Sequence, residues 1–491
     1  MSGGDESPLI PHVIGGREVL AVAGQSCIAV TDPSTGAVIG HIPDGTSADV
    51  DAAVVAAAGA QPAWGARPLN ERVQVIYRMK AILEREAGRL AEVIRRDNGK
   101  TLDEAAGEIL RGVECCEYAA SLPQISAGGV LEVGKGIECR LMRVPLGVVA
   151  AVTPFNFPVM VPLWMAPTAI AMGNALVLKP SEQAPLAAVE LARLWTEAGL
   201  SDGIFNVVQG GRAVVEALCD HPGISALGFV GSTNAARAVY GRGTAAGKRV
   251  KALGGAKNHL VVVPDADPDM TVANVVASAT GCAGQRCMAA SVLLAVGDVE
   301  PILDRIKARF AAMRAGHDIG PLISAESRDR IAGFIDRAAG QGATVAVDGR
   351  KAIAEGVDPA GFWMGPTVFD HAAPSHDVSC HELFGPTLTI IRCATLDDAL
   401  AIENADPHGN AAAIYTADGA VAKYFAERAS AGMVGINIGV PVPREPFPFG
   451  GWNESSFGEG DLTGEGSYTF WSKTKKITTK WTHDPRGNWM S

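Results

Sequence analysis

A doubly wound α/β fold, built twice along one chain, is what this sequence predicts, and three observations carry the prediction. Short apolar runs alternate with helical stretches from residue 146 onward. No internal repeat and no low-complexity linker interrupts that alternation. The hydrophobic set makes up 47% of 491 residues and charged residues 19%, ample core material for about two to four domains.

Taken in order, residues 47–111 have helical texture. Apolar positions recur three and four apart in "VDAAVVAAAGAQPAW" and "VIYRMKAILEREAGRLAEVIRR". "LGVVAAVTP" then reads as a buried strand, "VPLWMAPTAIAMG" as a helix, "ALVLKPS" as a strand and "APLAAVELARLWTEAG" as a helix. "IFNVVQG", "GRAVVEALCDHP", "ISALGFVGS" and "TNAARAVYGRGTAA" continue as strand, helix, strand and helix. Such alternation makes parallel βαβ units. A second α/β series runs from "NHLVVVPDAD" to about Gly451. "IECRLMRVPLG" and the tail "SYTFWSKTKKITTKW" alternate apolar and polar residues instead. They suit half-exposed antiparallel strands that pair with each other or with another subunit.

The net charge of −11 and the absence of a run of five like charges leave no basic footprint for nucleic acid. "MSGGDESPLIPHVIGG" lacks the basic-then-apolar order of a secretory signal. Residues 144–178 carry no formal charge and look membrane-like, but Pro145, Pro154, Pro158, Pro162 and Pro167 would break a spanning helix. Buried core is the expectation there, with no membrane partner. Nine scattered cysteines without a signal predict a reduced, cytoplasmic setting.

Four short stretches carry chemistry. In "GCAGQRCMAA" (281–290), Cys282 and Cys287 lack the partners of a zinc site, so no metal is expected. Gly281 and Gly284 permit close backbone approach, and Arg286 can favour a thiolate. These ten residues leave a nucleophile and a core thiol equally open. "TPFNFP" (153–158) sets Asn156 between two aromatics after a strand, where its amide can serve an oxyanion or a simple Asx-turn. "LVLKPSE" (176–182) ends a strand in Lys179, Ser181 and Glu182. A cation and a carboxylate at that edge fit an adenosine ribose, and Glu182 would repel a 2′-phosphate, which favours NAD over NADP; a surface ion pair is the alternative. "GFVGST" (228–233) places Ser232 at a helix start suited to a pyrophosphate.

Together, and in this order, these stretches resemble the aldehyde dehydrogenase superfamily over nearly the whole chain. The resemblance implies Cys287 of "GQRC" as nucleophile and Asn156 as oxyanion donor. It implies an NAD site formed by Thr153, Phe155, Lys179, Ser181, Glu182, Ser232 and Gly254. "HELFGP" (381–386) adds Glu382, on the nicotinamide ribose, and Phe384. It further implies an NAD-binding domain at 1–128 and 147–255, a catalytic domain at 256–455, and oligomerisation strands at 129–146 and 466–491. The assembly would be a homodimer or homotetramer.

Hydrolytic members carry a Glu in "ELGGK"; here the stretch is "KALGGAKNH" (251–259), with Leu253 or Ala252 at that position. Neither accepts a proton, so a thiol acceptor is expected in place of water. "GAKNH", "GQRCMA" and "TKKITTKW" resemble the CoA-acylating methylmalonate- or malonate-semialdehyde dehydrogenases. That subgroup implies coenzyme A as co-substrate and Arg111 and Arg286 as anchors for the carboxylate of the aldehyde. The expected products are propionyl-CoA or acetyl-CoA, formed with decarboxylation. "PVPREPFPFGGW" (441–452) departs from the subgroup by placing Arg444 and Glu445 where apolar residues are expected. An acid-forming dehydrogenase of another acidic or sulfonated aldehyde is the rival, and a non-catalytic binding protein with this fold a more distant one.

Overall fold

The computed structural model describes residues 7–22 and 24–481. Strands Phe205–Val207, Ala175–Lys179, Val148–Val152, Ile224–Val230 and Arg249–Leu253 lie parallel in that spatial order. The chain adds strands outward on one side of Val148–Val152, then returns to its other side with Ile224–Val230. That reversal is a topological switch point, and in open α/β sheets the crevice at the carboxyl ends of such strands takes the ligand. Thr153 follows directly on one of the two strands that flank it, and Ser232 lies two residues past the end of the other.

Short antiparallel strands close the edges: His12–Ile14 and Arg17–Val19 on one side, Ser456–Phe457 on the other. The strand Arg249–Leu253 and these edge strands were absent from the sequence reading, being brief or broken by charged residues. The uncharged stretch 144–178 is strand, loop, helix Met160–Ala171 and strand, and every residue of that helix is buried. Among the described residues no helix is long and apolar enough to cross a membrane.

The second sheet holds seven strands in the order Thr344–Val347, Thr367–Asp370, Thr387–Cys393, Ala290–Val296, Asn258–Val262, Ala411–Tyr415 and Met433–Ile436. All but the first edge strand run parallel. Side chains alternate across it, as a strand's two-residue period requires. Val261, Leu294 and Ile414 pack on one face with Ile331, Phe334 and Ile335 of a helix. Leu260, Leu293 and Tyr415 pack on the other with Val275 and Ile306 of two more. Helices on both faces make this sheet doubly wound.

A third sheet joins Gly129–Gly134, Ile137–Pro145 and Ser472–Lys480, all antiparallel. The two separated strands expected to pair do so, in register from Ser472↔Pro145 to Lys480↔Ile137. One boundary needs correction. Residues 466–470 are not strand but part of the helix Gly464–Phe470, whose Ser467 and Phe470 turn inward. The tail 482–491 lies outside the described residues.

Candidate active site

The helix Pro268–Thr280 ends in a tight loop. Cys282 and Ala283 both have φ of 52° and Gly284 has φ of 71°, three left-handed residues in succession. A Cβ on Gly281 would overlap the Arg286 guanidinium, and one on Gly284 would overlap the Gly385 carbonyl. Position 284, left-handed and against backbone, therefore admits only glycine, whereas a side chain at Gly281 would displace the end of Arg286.

The loop is fixed from several sides. Gln285 accepts at Oε1 from the Ile323 N–H (2.9 Å) and donates from Nε2 to the Cys282 carbonyl (3.2 Å). The Cys287 carbonyl accepts from Asn258 Nδ2 (2.8 Å) and Asn410 Nδ2 (2.9 Å). Asn156, 5% exposed, donates from Nδ2 to the Gln285 carbonyl at 2.9 Å. That bond ties the first sheet's "TPFNFP" loop to the cysteine loop, two residues before Cys287. It uses one amide hydrogen and leaves a second for a ligand.

Burial pushes the Cys287 thiol up to about 12, and the Glu382 carboxylate pushes the same way. The backbone N–H groups of Cys287 and Met288, which face the sulfur, oppose that rise, and the Arg286 charge opposes it least. Arg286 favours the Cys287 thiolate only weakly, because its guanidinium is engaged elsewhere. Its Nε donates to Cys282 Sγ at 3.2 Å, and its guanidinium lies 3.7 Å from Glu104. Cys282 is more than packing: it fixes the direction of Arg286, while its own N–H donates to Glu104 Oε1 at 2.5 Å.

Helix Leu102–Ala120 supports the whole arrangement. Glu104, Glu108, Arg111 and Cys115 recur at spacings of four, three and four, so they share one face. Glu104 holds the cysteine loop. Glu108 accepts from the N–H groups of Val159 (2.8 Å) and Met160 (3.0 Å), just after Asn156, and pairs with buried Lys100 at 2.5 Å. Arg111 is next along this face, paired with Glu114 and 3.6 Å from Glu445.

On the switch-point side, Lys179 pairs with Glu182 at 2.7 Å. Burial raises the Glu182 carboxyl, but the Lys179 cation outweighs it and the net shift is downward. Ser181 is buried, and its Oγ accepts from the Gln183 N–H. Ser232 caps the helix Thr233–Ala245, accepting from the Ala235 N–H at 3.4 Å. Thr153 Oγ1 is buried with no partner beside them. Such an orphaned hydroxyl at a switch point fits a ligand's polar group. A Cβ on Gly254 would press on the Glu454 carbonyl, and one on Gly255 would displace the Glu382 carboxyl. Burial pushes Glu382 up to about 7, against a hydrogen bond from the Ala256 N–H. Phe155 and Phe384 meet edge to face, centroids 5.8 Å apart. The expected residues thus fall into two sets, one around Cys287 and one at the switch point, with Glu382 acting on both.

The model of the aldehyde dehydrogenase family matches residues 21–477. The chain belongs to the aldehyde dehydrogenase family. A malonate-semialdehyde dehydrogenase of Geobacillus kaustophilus is 42% identical over 482 residues, 97% of this chain and 98% of that one. A Pseudomonas aeruginosa malonate-semialdehyde dehydrogenase is 42% identical over 479 residues, 96% of each chain. Among solved structures, the methylmalonate-semialdehyde dehydrogenase of Oceanimonas doudoroffii superposes with a TM-score of 0.94 at 40% identity, covering 97% of this chain and 99% of that one. A Sinorhizobium meliloti protein described as the same enzyme, in complex with NAD, gives 0.96 at 39% identity and covers 98% and 100%.

In this aldehyde dehydrogenase, Ala252 and Leu253 are both buried on the strand Arg249–Leu253 and offer no proton acceptor. No group of three or more His, Cys, Asp or Glu able to hold a metal occurs among the described residues. Sequence reasoning missed Glu104, Glu108, Lys100, Asn258 and Asn410. Asn98 was missed as well; its Nδ2 donates to the Phe155 carbonyl at 2.7 Å. For Glu104 and Glu108 the available signal was polar residues at inward helical positions, which without coordinates read as an ordinary solvated face; Lys100, Asn258 and Asn410 lie in loops or at a strand start and gave no such pattern.

Proposed function

We propose that this aldehyde dehydrogenase is NAD-dependent and CoA-acylating, oxidising a short carboxylated aldehyde through a thioester on Cys287. The observation that carries the reading is the pairing of two facts. Asn156 is anchored on the loop of Cys287, and no carboxylate occupies position 252 or 253. Bound NAD supplies the hydride acceptor. Lys179 and Glu182 would hold its adenosine ribose, the helix start at Ser232 its pyrophosphate, and Glu382 its nicotinamide ribose. The NAD complex of the Sinorhizobium relative and the unpartnered Thr153 hydroxyl support that assignment.

The Cys287 thiolate adds to the aldehyde carbon. Asn156 gives its second amide hydrogen to the oxyanion, beside the Cys287 N–H. Loss of hydride leaves the acyl group on sulfur. Water without a base is a poor attacker at a thioester, whereas a thiol with a pKa of about 8.5 is partly ionised at neutral pH. Coenzyme A is therefore the acceptor, and acyl-CoA the product. The relatives' names support malonate or methylmalonate semialdehyde as substrate. A β-carboxylate can be lost at the thioester stage, giving acetyl-CoA or propionyl-CoA. Product analysis with and without CoA tests this reading; free acid formed at the same rate in both would overturn it.

Exposed Val130, Leu131 and Ile477 on the three-stranded sheet support a homodimer or homotetramer built through that sheet. Nine unpaired cysteines support a reducing, cytoplasmic setting.

A further inference from the structure

Arg111 is the residue that the resemblance to the semialdehyde dehydrogenases implies as an anchor for the substrate carboxylate. It follows Glu104 and Glu108 along one helix face, and those two residues hold the loops of Cys287 and Asn156. Its Nη2 donates to the Pro443 carbonyl at 3.3 Å. The neighbouring Val440 and Val442 pack against the same core as Cys287 and Phe157. A guanidinium so placed has the chemistry to bind a carboxylate on the aldehyde.

That guanidinium is already engaged. Glu114 pairs with it from the next turn of the helix, and Glu445 Oε2 lies 3.6 Å from Nη2. The Glu445 side chain is 11% exposed; its other oxygen accepts from Cys115 Sγ at 3.6 Å, and Oε2 has no hydrogen-bond donor. Arg444 closes the group by pairing with Glu114. Arg111, Arg444, Glu114 and Glu445 sum to zero charge. Arg286 has its own carboxylate in Glu104.

A carboxylated aldehyde that binds at Arg111 meets a cation already matched by Glu114 and Glu445. A tethered carboxylate competes at an effective concentration on the order of millimolar or above. Two carboxylates within about 4–6 Å on one guanidinium also repel each other. An uncharged aldehyde leaves the four charges undisturbed. We propose that Glu445 is a specificity-determining residue, a built-in competitor for Arg111 that a carboxylated aldehyde must displace. Its presence raises the KM for such aldehydes relative to uncharged ones of equal length. The inference rests on the acylating reading above, with Arg111 as the carboxylate anchor.

The test compares wild type with Glu445→Gln, measuring KM for malonate semialdehyde and for propanal in the presence of NAD and CoA. The KM ratio, malonate semialdehyde over propanal, falls at least fivefold in the variant, mostly through the carboxylated aldehyde and not through kcat. An unchanged or higher ratio overturns the inference, because a merely structural role would move both aldehydes together. Calorimetric titration with 3-hydroxypropanoate reads the same competition without turnover and tightens at least fivefold in Glu445→Gln; unaltered binding counts against Glu445. Should neither protein acylate CoA, the acylating reading fails while the titration still decides the role of Glu445. Glu445→Ala, checked for folding by circular dichroism, gives the same direction in both readings.

Discussion

A thiol pushed up to about 12 is almost wholly protonated at neutral pH, so the thiolate that attacks the aldehyde is a small fraction of Cys287. Burial dominates, and Glu382 is the largest charge acting against ionisation. Because the shift is upward, the thiolate fraction grows about tenfold per pH unit and does not level off near 9. Alkylation of Cys287 by iodoacetamide is therefore expected to accelerate steadily from pH 7 to 10, with Cys287→Ala marking the background from the other cysteines. Glu382→Gln removes the opposing charge and is expected to speed alkylation at pH 8 several-fold; a slower reaction would mean Glu382 acts differently. Asn156→Ala is expected to lower kcat by about 10²–10³-fold, the usual loss of one oxyanion donor. The sequence carried Cys287 and Asn156 plainly, because "GQRC" and "TPFNFP" are local patterns. It could not show that Arg286 turns to Cys282 and Glu104, since that partnership depends on a helix about 180 residues earlier in the chain.

Helix Leu102–Ala120 is the element on which both loops depend. Its Glu108 pairs with Lys100, which lies just before the helix; the two side chains are 0% and 2% exposed and 2.5 Å apart. Removing one partner of a buried pair leaves an uncompensated charge and costs about 3–5 kcal/mol. It would also free the N–H groups of Val159 and Met160. Glu108→Ala is thus expected to lower the urea midpoint clearly and to reduce kcat along with it. Glu92→Ala, which loses an exposed pair with Arg95, serves as a control worth at most about 1 kcal/mol. The first half of the helix was legible from its apolar spacing up to residue 111, and the structure adds the Thr101 cap and the turns to Ala120. Its supporting role was not legible, because an inward Glu and an outward Glu look alike in a sequence until the opposite surface is known.

At the scale of the molecule, the alternation of strands and helices announced both doubly wound sheets, while the switch point beside Thr153 and Ser232 emerged only from the strand order. The short edge strands escaped, having two or three residues each and no periodicity to read. The strand Ser472–Lys480 was foreseen, and the helix before it was not, since "SYTFW" alternates as well as any strand while Phe470 and Trp471 turn into the core. If the three-stranded sheet joins subunits, Leu131→Lys together with Ile477→Lys is expected to shift the sedimentation coefficient toward that of a monomer. An unshifted coefficient would place the interface elsewhere. The central claim, that the acyl group on Cys287 passes to a thiol because positions 252 and 253 carry no base, is tested most directly by quantifying products from malonate semialdehyde and NAD by mass spectrometry. With CoA present, acyl-CoA should equal NADH, and without it NADH formation should stop after about one turnover per Cys287. Sustained NADH and free acid without CoA would contradict it.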